Sequence, residues 1–185
     1  MIKKFFLLFI IFFLITNIPS YASNKDKIIQ NLQKVNNLSF NFKQKIKKKV
    51  ENGNCIIKYP KLIFCKYKNK KIMVSDGKSL VIKNQKNKQS YFYSLKRTPL
   101  YKILDKNNLI SEIKNANINI EIKKNLSFSL NYNNNIIKII FDKKNYNLIG
   151  WVTEDIYQNK IYFEIYDLQI NQKIDDKQFK LPKIN

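Results

Sequence analysis

The sequence predicts a mainly β protein built on one antiparallel sheet, either a barrel or a strongly curved sheet, interrupted once by helix. Three observations carry this reading. Roughly ten segments rich in Ile, Leu, Val, Phe and Tyr follow residue 37 at a spacing of about 8–12 residues, with turn residues between them. Asp76-Gly77 stands between two apolar runs, and Gly supplies the positive φ that tight hairpin turns need. The pattern breaks at Arg97-Thr98-Pro99, where Thr98 as N-cap and Pro99 at the first helical position open a short helix.

In chain order, Lys3 and Lys4 precede an unbroken apolar run from Phe5 to Ile15. That run is shorter than the roughly 20 residues a transmembrane helix requires. Ser20-Tyr21-Ala22 then places small residues at the positions a signal peptidase reads. Residues 1–22 are therefore expected to be a cleavable secretory signal, and 23–185 one mature domain, exported to the periplasm. No cysteine follows the cut, so the chain is not itself expected to carry a lipid anchor. The mature part begins with a helix: Ile28, Ile29, Leu32 and Val35 make one apolar stripe, and Ser23 or Asn24 caps it. Strands are expected from Leu38 toward Val50, then, after a turn at Glu51-Asn52-Gly53-Asn54, over Cys55–Tyr59 and Leu62–Tyr67 around Pro60. Ile72–Ser75 and Ser79–Ile82 flank the Asp-Gly turn, and Gln89–Leu95 follows. Beyond the helical interruption, which covers Leu100, Ile103 and Leu104 and continues as helix or turn over Asp105–Ile113, strands resume. They fall at Ile118–Ile122, Leu126–Tyr132, Ile136–Phe141, Leu148–Glu154 and Ile161–Ile170.

Composition removes several function classes. Lys and Arg number 35 against 13 Asp and Glu. Yet Arg97 is the sole arginine, whereas base and phosphate readers favour the guanidinium fork. The lysines are also spread through the chain rather than clustered, so nucleic acid is not an expected partner. The charge can still favour anionic headgroups, an attraction screened within about 8–10 Å. Histidine is absent, which removes the commonest general base and metal ligand. Carboxylates are few, and three glycines leave no phosphate-cradling loop. No enzyme, cofactor or metal is expected.

Cys55 and Cys65 stand equidistant from Pro60, so an antiparallel hairpin sets them opposite each other, with Cβ atoms about 4.5–5.5 Å apart. In an oxidising compartment a disulfide is a fair expectation, and the pair is not a C-x-x-C redox motif.

At the Asp-Gly hairpin the sequence resembles a known family. Val74-Ser75-Asp76-Gly77-Lys78-Ser79-Leu80 is similar to the V-S-D-G-K-x-L hairpin of the periplasmic outer-membrane lipoprotein carrier (LolA) family. Ser39-Phe40-Asn41-Phe42-Lys43-Gln44, Lys58-Tyr59-Pro60-Lys61-Leu62, Thr98-Pro99-Leu100 and Phe179-Lys180-Leu181-Pro182 follow that family's pattern in the same order. The resemblance implies a half-open, single-sheet β-barrel with short helices as a lid over an apolar cavity. Its cargo would be the acyl chains of lipoproteins, received from an inner-membrane ATP-driven release complex. They would pass, where one exists, to an outer-membrane acceptor, and the carrier would act as a monomer. Alternation then places Phe40, Phe42, Ile57, Ile63 and Tyr67 on the cavity face with Cys55 and Cys65, and Leu100, Ile103 and Leu104 in the lid. The family's lid-contacting arginine falls at Tyr59, which keeps a phenolic hydroxyl and a ring for that contact. The alternative is a periplasmic β-barrel that binds a small hydrophobic ligand or senses envelope lipoproteins.

Overall fold

A computed structural model of the chain describes residues 22–120, 125–133, 135–155 and 157–182. The expected secretory signal lies outside the described residues, apart from Ala22. The chain opens with α1 (Asn24–Lys34), then runs through β1 (Asn37–Ile46), β2 (Lys49–Lys58), β3 (Leu62–Tyr67), β4 (Lys71–Asp76), β5 (Ser79–Asn84) and β6 (Ser90–Ser94). A 3-10 turn (Leu95–Arg97), α2 (Leu100–Leu104) and α3 (Lys106–Asn115) follow. The chain returns through β7 (Ile118–Ile120), β8 (Leu126–Tyr132), β9 (Asn135–Phe141), β10 (Leu148–Glu154) and β11 (Lys160–Ile170), and a 3-10 turn at Asp176–Phe179 follows.

All eleven strands form one antiparallel sheet in the order β6-β5-β4-β3-β2-β1-β11-β10-β9-β8-β7. The sheet curves strongly and does not close, so β6 and β7 are its two edges. The path explains where the helices sit. The chain meanders outward from β1 to the β6 edge, crosses through residues 95–115 to the β7 edge, and meanders back until β11 pairs with β1. The helical segment is thus a bridge between the two free edges.

Local chemistry accounts for the elements. Ser23 accepts from the Asp26 amide, and the Asp26 carboxylate accepts from Ser23 in return, a capping box that opens α1. Along β1, Leu38, Phe40 and Phe42 alternate with more exposed residues, the signature of one covered face. The β4–β5 hairpin holds Gly77 at φ +94°, and Asp76 Oδ1 accepts from the amides of Lys78 and Ser79 at 2.9 and 2.8 Å.

Three sequence expectations are corrected. The turn after β1 is at Lys47–Lys48, and Glu51–Asn54 lies inside β2. Gly53 occupies a strand position that has no room for a side chain: a Cβ there would lie 2.2 Å from the Lys66 carbonyl oxygen and 2.8 Å from the Phe42 ring. Thr98 does not cap a helix; its hydroxyl donates back to the Leu95 carbonyl at 2.8 Å and closes the 3-10 turn. Leu95 leaves β6 for that turn. The end of the expected strand Ile118–Ile122 lies outside the described residues, which give β7 over Ile118–Ile120.

The core lies on the concave side. Ile28, Ile29 and Leu32 of α1 and Ile103, Leu104, Leu109, Ile110 and Ile113 of α2 and α3 join Phe42, Ile57, Ile63, Phe128, Ile139, Phe141 and Phe163 in one buried cluster. A smaller apolar row crosses the convex side, where the register aligns Ile56, Phe64, Val74, Val81 and Phe92. Phe179, itself buried, belongs to the C-terminal turn that lies against β3 and β4.

Candidate functional site

The concave face collects the residues that alternation assigned to it. Phe40, Phe42, Ile57, Ile63 and Tyr67 are all buried in the same cluster. Cys55 and Cys65 face each other across β2 and β3 and are joined by a disulfide. An aromatic series runs across the face: Trp151 stacks on Phe163 at 4.1 Å, Phe163 on Phe42 at 4.8 Å, and Phe42 meets Tyr67 edge-on at 4.9 Å. Gly53 of the intervening β2 carries no side chain, and this is what lets the Phe42 ring lie against that strand.

The resemblance implies a hollow under the helices, and among the described residues helical side chains occupy the concave side. Ile103 and Leu104 are fully buried and Leu100 is partly buried, while Leu109 and Ile113 of α3 fill the space beside them. Sequence reading leaves the α3 segment undecided between helix and turn and so passes over Leu109, Ile110 and Ile113. Their i, i+1, i+4 spacing is the available signal. The clefts of about 370 Å³ beside Asn54 and Lys66, and about 410 Å³ between α1 and Lys114, are lined mainly by polar residues. Access to the apolar face therefore requires the helices to move.

One end of the curved sheet is sealed by polar groups. Glu51, buried near the end of the concave face, accepts from Lys71 at 2.6 Å, Lys49 at 3.0 Å and Asn69 Nδ2 at 2.8 Å. Burial alone would raise its carboxyl, but the two lysines outweigh it and hold the group ionised below its usual range. Tyr67 donates to Gln44 Oε1 at 3.2 Å beside it. Opening that end would strip a buried carboxylate of its partners, a costly step.

The helical end is held more lightly. The Lys61 amide donates to the Leu104 carbonyl at 2.9 Å, and Lys61 Nζ lies 3.0 Å from Asp105 at the α2–α3 junction. That bond raises the Lys61 pKa. Burial pushes the Asp105 carboxyl up, but the Lys61 bond and the Asn108 amide together hold it below its usual value. Lys61 is steadied from below: Ser75, in the Asp-Gly hairpin motif, donates its hydroxyl to the Lys61 carbonyl at 3.1 Å. Lys106 Nζ donates to the Val35 carbonyl at 2.8 Å, tying α3 to the end of α1. Tyr59 touches the lid through its ring, 5.7 Å from Lys106 Nζ. Its buried hydroxyl has no hydrogen-bond partner among the described residues, and burial raises its pKa. Lys61, Asp105 and Lys106 are the lid contacts that sequence reading does not single out. Among the described residues no group of three or more His, Cys, Asp or Glu could hold a metal ion.

Comparison with known proteins gives a coherent answer at the level of family. The model of the family described as "Outer membrane lipoprotein carrier protein LolA" matches residues 33–182. No curated protein matches the chain. An uncharacterized conserved protein from Thermus thermophilus shares the fold with a TM-score of 0.52 at 7% identity, covering 86% of this chain and 93% of that one. A LolA superfamily protein from Nitrosomonas europaea aligns at TM-score 0.42 and 8% identity over 86% and 99%. The Pseudomonas aeruginosa MucA/MucB complex aligns at TM-score 0.39 and 8% identity over 87% and 62%.

Proposed function

Because the chain belongs to the outer membrane lipoprotein carrier protein LolA family, we propose that it is a periplasmic carrier that shields the acyl chains of lipoproteins between the inner and outer membranes. In this reading residues 1–22 are removed on export. The cargo arrives from an ATP-driven release complex in the inner membrane, and no reaction is catalysed.

The observation that carries the proposal is the filling of the concave face by the helical bridge's own side chains. Burying a methylene is worth about 0.8 kcal/mol, so a 16-carbon acyl chain with about 15 methylenes represents about 12 kcal/mol left in water. The bridge contributes Ile103, Leu104, Leu109, Ile110 and Ile113 to the core. At about 1.5–3 kcal/mol for each buried aliphatic side chain, those five represent about 8–15 kcal/mol. The two quantities are of one size. An acyl chain that takes the place of the bridge replaces apolar contact with apolar contact, so release is not blocked by excess affinity; taking the chain from a bilayer, where it is already buried, is the step that draws on the ATP-driven complex. The filled interior is then the empty carrier protecting itself, with Phe40, Phe42, Ile57, Ile63 and Tyr67 as the acyl-binding face. Leu100, Ile103 and Leu104 form the lid.

The test is release of a lipoprotein from spheroplasts by the added purified protein. Soluble one-to-one complexes are expected. Lipoproteins that stay membrane-bound in the presence of folded protein would overturn the reading.

A further inference from the structure

In an antiparallel meander the hairpin turns fall alternately at the two ends of the sheet. The β1–β2, β3–β4 and β5–β6 turns therefore share one end, the end away from Tyr59 and Lys61. These turns are adjacent, about 10 Å apart because two strands separate each from the next. They carry Lys47 and Lys48, Lys68 and Lys70, and Lys86 and Lys88, all exposed. None of the three turns contains Asp or Glu. The nearest carboxylate along the first hairpin, Glu51, is buried and already paired with Lys49 and Lys71. The run of positive charge ends at the β10–β11 turn, which carries Asp155. The opposite end also carries lysines, among them Lys61, Lys78, Lys143 and Lys144, but there they are interleaved with Asp76, Asp105 and Asp142.

A second observation is independent of charge. Each of the three turns places a lysine in the left-handed region: Lys47 at φ 53°, Lys70 at φ 66° and Lys88 at φ 58°. For a residue with a Cβ this conformation is costly, and Asn or Gly is the usual occupant. The chain is rich in asparagine, and Asn69 and Asn87 adjoin two of these sites. Lys61 at the β2–β3 turn shares this conformation at φ 70°, but there the ammonium is paired with Asp105, whereas the three lysines of this end have no carboxylate within their own turns.

We infer that this lysine rim is a docking surface for an anionic phospholipid membrane. The partner chemistry follows from the arrangement. The charges lie in a row on separate turns rather than around a pocket. They are compact ammonium groups without the fork that fixes a carboxylate or phosphate in one geometry, which suits a fluid charged surface better than a shaped protein partner. Tyr91 and Phe92, both about half exposed, lie at the start of the edge strand beside the third turn and give it one amphipathic and one apolar ring of the kinds found at membrane interfaces. Docked by this rim, the protein holds the Lys61–Asp105 end of the helical bridge away from the lipid surface.

The inference does not depend on what the concave face carries, and its test is separate. Binding of the protein recovered from an exporting host is measured on vesicles containing phosphatidylglycerol and on pure phosphatidylcholine vesicles, at about 0.1 M and about 0.5 M salt. Preference for phosphatidylglycerol, weakened by salt, is expected. At roughly fivefold per lysine, the triple variant Lys47→Asn, Lys70→Asn, Lys88→Asn should lose about 100-fold in partitioning. Asparagine suits the left-handed turns, so its thermal midpoint should not fall. The control Lys143→Asn, Lys144→Asn, Lys173→Asn removes equal charge elsewhere and should bind within a few-fold of the parent protein. Equal binding to both vesicle types, an unaffected rim variant, or an equal loss in the control would overturn the inference.

Discussion

Tyr59 shows how one side chain can sit at odds with its surroundings. The ring packs in the core, but the hydroxyl is buried with nothing to bond among the described residues. A buried, unpaired hydroxyl costs about 1–3 kcal/mol of lost hydration. Tyr59→Phe keeps the ring and removes that cost. It is expected to stabilise the protein by about 1 kcal/mol, read as a rise of about 2–4 °C in thermal midpoint. A fall in midpoint would show that the hydroxyl finds a partner in solution. Gly53 shows the limit of reading at this scale. In sequence, Glu-Asn-Gly-Asn has the composition of a turn, and nothing local distinguishes it from one. What leaves no room for a side chain there is the Phe42 ring and the Lys66 carbonyl, contacts that exist only once β1, β2 and β3 are paired. The true turn, at Lys47–Lys48, lacks the residues that announce turns.

At the scale of elements the strands are legible because alternation along β1, β2 and β3 survives to the structure with Phe40, Phe42, Cys55, Ile57, Ile63 and Cys65 on one face. The order of the sheet and the crossing of its mouth are not legible, since no local signal says which strands are edges. The contact between the helices and the β2–β3 turn escapes sequence reading for the same reason: Lys61 and Asp105 lie far apart in sequence and pair only through topology. This pair gives the bridge a pH dependence whose sign is fixed. Asp105 is held below its usual value when folded, so its contribution is complete above about pH 4 and is lost as pH falls through the folded pKa. Lys61 is raised, so its contribution persists until pH exceeds about 10. Between these limits the bridge is expected to stay closed. Below about pH 4, a dye that reports exposed apolar surface should bind increasingly. Asp105→Asn retains an acceptor for the Asn108 amide but loses the ion pair, a modest interaction at a solvent-screened site. It should bind more dye at neutral pH and respond less to acid than the parent protein. Identical acid profiles for the two proteins would refute the role given to this pair.

At the scale of the whole molecule, two ends of one curved sheet are treated differently. The end beside Glu51 is closed by a paired, buried carboxylate, whereas the bridge is held by aliphatic packing and a few polar bonds at the other end. Motion is therefore expected at the bridge, and the geometry says what kind. Residues 95–115 are continuous with β6 on one side and β7 on the other. Spin labels on Ser90 and Asn119, one on each edge strand, should move apart when an acylated cargo is bound. An unchanged distance in a loaded complex would argue that cargo enters without displacing the bridge. A hinged door swings free at one side, but a belt fastened at both hips yields only if the waist expands. Anything that cinches those flanks together, such as a short chemical tether between them, should therefore jam this protein empty while leaving every greasy contact inside it untouched.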